Sequence, residues 1–288
     1  MDRNQIKVLI RQMTLEEKAG QVTQLPSRYF AIQGSQLTGT ETKLGISEEK
    51  KWLCGSILGK LDAVSMRNIQ KENLERSRLQ IPLMFMTDIV HGYQTIFPVP
   101  LAMAGSFDPG MVRECARISA KEGSAAGYQV TFSPMVDVVR DPRWGRVMES
   151  FGEDSKLNCD FGKAMVEGYQ GENLKDPDRL AACVKHFAAY GAAEGGRDYN
   201  TSDVSEFRLR NKYFPPFKAC IDAGVKLVMA AFEALNGIPA TANPWLLQDI
   251  LRGNRDFRLG GGTGTDQAWC SRRGSRGRKT CSGIRGTD

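Results

Sequence analysis

Apolar positions along this chain come in two rhythms. Short runs that are apolar almost throughout lie at 55–58, 81–88, 129–138, 180–189 and 225–232. Segments with helical spacing lie between and after them, at 62–79, 107–126, 153–169, 205–223 and 243–252. A run without polar alternation suits a strand covered on both faces. Strands and helices in strict alternation predict βαβ units, right-handed crossovers and a parallel sheet. Near the start, Thr14-Leu15-Glu16-Glu17 fits a capping box, so a helix opens there. Residues 27–47 are polar and rich in Gly, Ser and Thr, and read as a loop. A doubly wound sheet and a TIM-type barrel both satisfy this rhythm. The first strand is followed by no G-x-G-x-x-G, and the glycines at 191–196 follow a late strand, which favours the barrel.

Composition changes this picture little. The chain has 288 residues, 41% hydrophobic and 25% charged, as an average globular protein does. No apolar stretch approaches the ~20 residues of a membrane helix. The start carries no basic leader with an apolar block. The default expectation is therefore no membrane partner and a cytoplasmic chain. Charge is informative once located. Residues 252–288 hold nine basic and three acidic groups, which is all of the net +6, so the body is neutral. A neutral body gives no electrostatic reason for nucleic-acid binding. Seven scattered cysteines without C-x-x-C spacing read as reduced thiols. Two histidines, and no ligand spacing, predict no metal and no cofactor.

Chemistry in a barrel collects at the C-terminal ends of strands. One end here carries Asp88 and then His91-Gly92, and the next leads into Asp137 and the stretch from Arg140 to Arg146. A third carries Lys185-His186 inside an apolar run, and a fourth runs out into Phe232 and then Asn236-Gly237. Each has a plain structural alternative: Asp88 as a cap, His91 as a satisfied structural histidine, 140–146 as a salt-bridged loop. The lysine is hardest to dismiss, because a Lys buried on both sides of a strand needs a partner or a wet cavity. A carboxylate, a Lys, a His, Arg and aromatics together match a sugar. The charged groups bond its hydroxyls, and a ring covers its apolar face.

These residues also carry a resemblance. The stretches Met13-Thr14-Leu15-Glu16-Glu17-Lys18, Thr87-Asp88-Ile89-Val90-His91-Gly92, Ser133-Pro134-Met135-Val136-Asp137, Arg140 to Arg146, Glu149-Ser150-Phe151-Gly152-Glu153-Asp154, Val184-Lys185-His186-Phe187 and Leu235-Asn236-Gly237-Ile238-Pro239 resemble the family 3 glycoside hydrolases, most closely their bacterial periplasmic β-glucosidase branch. The likeness covers roughly residues 10–255. It implies a TIM-like first domain that binds the non-reducing glucose of small β-glucosides or oligosaccharides, with β-xylosides as an alternative substrate. Asp88 would hold the outer hydroxyls, Arg146, Lys185 and His186 would complete the clamp, and Phe232 would stand beside it. The resembled chemistry is retaining hydrolysis with two carboxyl groups. The hexosaminidase sub-branch reads K-H-F-P-G-H-G. Here 185–191 reads Lys-His-Phe-Ala-Ala-Tyr-Gly, without the second His, which argues for a glucosidase or xylosidase.

The likeness fails where the nucleophile strand is expected. Gly260-Gly261-Gly262 cannot supply a β-branched barrel strand. Asp266 falls two residues late for a nucleophile. The expected architecture is thus an incomplete α/β barrel, (β/α)8-like with its last strands missing, over 1–258. A Gly/Arg-rich, disordered tail over 259–288 would follow, without the second domain that carries the acid/base Glu. Back-translation of 266–270 one base later allows Ile-Lys-His-Gly-Val, so a reading-frame slip is preferred over a native Arg/Gly tail. On this reading the chain binds sugar without hydrolysing it, and its open sheet edges favour aggregation. The alternative is a non-catalytic sugar-binding or tail-mediated interaction protein.

Overall fold

The computed structural model describes residues 2–30 and 45–253. The chain opens with two short helices, α1 (Arg3–Gln12) and α2 (Leu15–Gln21). Thr14 caps α2 as its sequence predicts: the Glu17 amide donates to Thr14 Oγ1 at 3.2 Å, and the Thr14 amide donates to Glu17 Oε2 at 2.8 Å. Then come β1 (Gln24–Pro26), α3 (Glu48–Lys51), β2 (Ser56–Leu58), α4 (Ala63–Arg76) and β3 (Met84–Thr87). Next are α5 (Pro100–Ala104), α6 (Pro109–Ala126), β4 (Val130–Thr131), α7 (Ser155–Gln170) and β5 (Ala181–Phe187). After α8 (Glu206–Arg208) and α9 (Pro215–Asp222) come β6 (Leu227–Ala230) and the hairpin β7 (Ala234–Leu235) and β8 (Ile238–Pro239). A wide-turned helix, Trp245–Gly253, follows.

Strands β1 to β6 form one parallel sheet in strict chain order. A doubly wound sheet reverses its strand order at a switch point. This one never does, and it curls as part of a TIM-like barrel. Among the described residues β1 and β6 are its two edges. Met86, Val130, Phe132, Ala181 and Cys183 form a small cluster, joined by Leu58, Leu227 and Met229. The alternate positions Ile57, Phe85, Ala182, Val184 and Val228 join the large core. Strand alternation thus sorts the two faces, and Asp88 and Lys185 extend the small-cluster series toward the strand ends.

Three expectations need correction. The first predicted strand is the second in space, because β1 is only three residues long and too short to show a period. The expected strand 129–138 keeps regular pairing only over Val130–Thr131. Pro134 has no amide to donate, and beyond it the chain follows β5 irregularly, through Lys185 N to Pro134 O at 3.0 Å and Val136 N to Lys185 O at 3.0 Å. The expected helix 205–223 is split. Pro215 and Pro216 remove two amide donors, a wide turn spans Leu209–Tyr213, and the Ser155 hydroxyl donates to the freed Lys212 carbonyl at 2.7 Å. Asp108 and Asp154 cap α6 and α7, accepting from Met111 N and Leu157 N at 3.0 and 2.8 Å.

Helices α6 and α7 approach closely because Gly168 has no side chain. A Cβ there would lie 2.3 Å from the Arg113 carbonyl oxygen and 2.7 Å from Ala116 Cβ. A Cβ on Gly145 would meet nothing within 4 Å. Gly168→Ala is expected to destabilise the protein by about 1–3 kcal/mol through overpacking, and Gly145→Ala to stay within about 0.5 kcal/mol. Urea unfolding of both variants checks this, and equal midpoints would refute the close-packing account.

Candidate functional site

Lys185 stands near the end of β5 and is 4% exposed. Its ammonium is paired with Asp88, at the end of β3, whose side chain is half exposed. The carboxylate that offsets the buried charge therefore also faces solvent and keeps oxygen capacity for a ligand. In a regular strand Lys185 and His186 would point to opposite faces. The pairing of β5 with β6 shifts register between Val184 and Phe187, and a shift of this kind re-aims side chains. Both residues consequently meet carboxylates from neighbouring strand ends.

His186, 1% exposed, is held by Asp137. Asp137 Oδ2 accepts from the His186 amide at 3.0 Å and lies 2.8 Å from Nδ1. Burial holds the imidazole below its ordinary pKa, against the pull of Asp137. The ring is thus neutral, with its proton on Nδ1 and its Nε2 lone pair turned to Arg146. Arg146 Nη1 lies 3.5 Å from that Nε2. Arg146 is itself gripped by Glu149, through Nε at 2.7 Å and Nη2 at 2.8 Å. Burial opposes the guanidinium charge, but the two bonds to Glu149 carry its pKa above the ordinary value.

Aromatic rings stand beside this polar set. Phe232 is 54% exposed, and its ring centre lies 5.2 Å from His186 and 5.5 Å from both Tyr190 and Tyr199. Tyr190 is buried and donates to Asp198, which also accepts from Trp144 Nε1 at 3.0 Å. The loop after β5 lies against the segment after β4 at Gly191, where a Cβ would stand 2.4 Å from the Val138 carbonyl oxygen. The Arg140 amide donates to the Gly191 carbonyl at 2.8 Å.

The structure brings Asp88, Arg146, Lys185, His186 and Phe232 into one neighbourhood. Asp266 lies outside the described residues. His91 takes a bracing role, its Nδ1 2.9 Å from the Phe97 carbonyl oxygen and its own carbonyl accepting from Phe97 N. Of 140–146, only Arg146 turns to the site: Arg140 pairs with Glu194 and Arg143 with Asp141. Asp137 and Glu149 stand inside motifs that the sequence displays, but neither was singled out for the site. Glu233, 1% exposed with neither carboxyl oxygen bonded, was missed entirely. Among the described residues, no group of three or more His, Cys, Asp or Glu side chains is placed to hold a metal ion. No described helix is long and apolar enough to cross a membrane.

Comparison with known proteins gives the family. Residues 14–269 match the glycosyl hydrolase family 3 N terminal domain. A periplasmic β-glucosidase of Salmonella typhimurium is 44% identical over 251 residues, which cover 87% of this chain and 32% of that protein. A β-xylosidase of Formosa agariphila is 39% identical over 193 residues, 62% of this chain and 27% of its own length. The crystal structure of a β-glucosidase from Listeria innocua superposes with a TM-score of 0.84 at 49% identity, covering 88% of this chain and 36% of that one. The same enzyme has been solved in complex with glucose. The chain spans about a third of the length of these relatives. By the match of its sequence and the order of its strands, this chain belongs to glycosyl hydrolase family 3.

Proposed function

We propose that the hollow formed by Asp88, Arg146, Lys185, His186 and Phe232 holds the terminal non-reducing β-D-glucosyl residue of a β-glucoside or short oligosaccharide. It is the sugar-binding part of a retaining β-glucosidase site. One observation carries the reading: a lysine buried in a strand is paired with a half-exposed carboxylate, so an acceptor backed by a buried cation meets solvent. Asp88 accepts from adjacent hydroxyls. Lys185 and Arg146 donate to hydroxyl oxygens, and neutral His186 turns its Nε2 lone pair to Arg146. The exposed Phe232 ring offers an apolar face to the pyranose. The Listeria enzyme solved with glucose supports the choice of sugar by similarity.

Retaining hydrolysis needs two carboxyl groups free to act on one bond. Among the described residues around the site, Asp88 is engaged by Lys185, Asp137 by His186, Glu149 by Arg146 and Asp198 by Tyr190 and Trp144, and Glu233 alone has no bonded partner, so one unengaged carboxyl stands where two are needed. We therefore read this chain as binding sugar without turning it over. A β-xyloside is the second reading, favoured by the likeness to a β-xylosidase. A stand-alone sugar-binding protein makes the same contacts and differs only in having no hydrolytic parent.

Calorimetry with glucose should show saturable binding, with xylose weaker. Lys185→Met and Arg146→Met should each weaken it about ten- to a hundredfold, the worth of a charge-assisted hydrogen bond. No binding of either sugar would refute the reading, and release of nitrophenol from an aryl β-glucoside would refute the non-catalytic part of it.

The ion pair has its own test. Asp88→Ala leaves a buried ammonium unpaired and should cost about 1–2 kcal/mol, less than a fully buried pair because Asp88 is half exposed. Asp88→Ala combined with Lys185→Met should recover most of that loss in urea unfolding. A double variant no more stable than Asp88→Ala alone would show that the pair does not govern the strand.

A further inference from the structure

Two aromatic side chains beside the hollow stay exposed. Phe232 follows β6, and Tyr199, on the loop beyond β5, is 65% exposed. Their ring centres lie 5.5 Å apart, with the planes inclined at 73°. Rings inclined in this way cannot both lie flat against one ligand ring, so each offers its face to a different one. Phe232 lies against His186, on the side of the polar clamp. Tyr199 stands on its other side, against Phe232 and the edge of Tyr190.

Tyr199 is held there under backbone strain. Its φ is 64°, in the left-handed region that side chains of its size rarely adopt. Its neighbours enforce this conformation. Before it, the Asp198 carboxylate accepts from Tyr190 and from Trp144 Nε1. After it, Asn200 Nδ2 donates to the Glu194 carbonyl at 3.0 Å. Thr201 Oγ1 and the Ser202 amide both donate to the Ala234 carbonyl at 2.9 Å. Asn236, at the turn between β7 and β8, then clamps Val204. The Val204 amide donates to Asn236 Oδ1 at 2.8 Å, and Asn236 Nδ2 donates to the Val204 carbonyl at 2.9 Å. The segment after Phe232 and the loop after Tyr199 are thus bonded into one brace, which fixes the two rings relative to each other. Strain at an exposed ring, over-determined by its surroundings, points to binding rather than to packing.

We propose that Tyr199 is the platform for the aglycone, its face taking a flat aryl group bonded to the glucosyl residue, and that Asn236 is the residue that positions it. This rests on the sugar reading above and adds the group on the far side of the glycosidic bond. A glucosyl residue in the hollow sends its aglycone past Phe232 toward the open surface, and Tyr199 is the ring that stands there. An aryl group fits better than a second sugar. The Asp198 carboxylate and the Asn200 amide on either side of Tyr199 are turned to protein partners, so the platform offers a ring face rather than partners for hydroxyls.

The experiment is calorimetry with phenyl 1-thio-β-D-glucoside, methyl 1-thio-β-D-glucoside and cellobiose. The sulfur linkage keeps the first two intact. Wild type should bind the phenyl compound about three- to tenfold more tightly than the methyl compound, the worth of one aromatic contact. Cellobiose should bind more weakly than the phenyl compound. Tyr199→Ala should bring the phenyl-to-methyl ratio close to one, and Tyr199→Phe should keep it. Asn236→Gly suits the φ of 49° at that position but lacks the clamp, and should give an intermediate ratio. Tyr199→Asn, which the left-handed region tolerates, should lose the ratio while melting no lower than wild type. A ratio that survives Tyr199→Ala would overturn the proposal, as would a Tyr199→Asn variant that melts lower and keeps the ratio, since Tyr199 would then be structural. An unchanged ratio in Asn236→Gly would remove the positioning role, and cellobiose binding more tightly than the phenyl compound would overturn the aryl assignment. If wild type binds none of the three, the sugar reading fails and the platform with it. If the methyl compound binds and the phenyl compound binds no better, the platform fails alone.

Discussion

A lysine ammonium inside a parallel sheet must be met by a carboxylate, and the pairing of Lys185 with Asp88 meets it. That requirement ties the end of β5 to the end of β3 across the strand between them. An unpaired ammonium in this position would cost about 1–2 kcal/mol, so the two strand ends cannot separate without loss. The same pair keeps one carboxylate oxygen within reach of solvent. One contact thus offsets the buried charge and leaves its partner half exposed, where the proposed function uses it.

The second constraint is that each charged group of the hollow is held by another protein group. Asp137 holds His186, Glu149 grips Arg146 through two bonds, and Asp198 takes Tyr190 and Trp144. Side chains fixed in this way lose little freedom when a ligand arrives. Under the proposed function, the arrangement is a preorganised receptor for hydroxyl groups. It also explains why burial alone is a poor guide here: His186 and Asp137 are more deeply buried than Arg146, yet all three belong to one chain of contacts.

Similarity to larger family 3 enzymes places this chain within a third of their length. Under the proposed function, the described residues supply the wall that contacts sugar hydroxyls, built from β3, β5, the segment after β4 and the segment after β6. That wall is made of groups matched in pairs, and Glu233 is the exception, a buried carboxyl with no bonded partner.

The amino-acid order alone determined the alternation of strands and helices, the cap at Thr14, and the placing of Asp88 and Lys185 near strand ends. These are local matters, read from spacing and side-chain type. Tertiary structure decided the rest. β1 is too short to show a period, Pro134 and Pro215-Pro216 interrupt elements whose apolar pattern runs on, and only pairing with neighbours reveals where ladders stop. The register shift in β5 lets adjacent residues 185 and 186 both reach carboxylates, which no alternation rule foresees. Glu233 reads in the sequence as an ordinary charged residue after a strand. Its burial depends on the folding of distant segments onto each other, and burial is what raises its pKa.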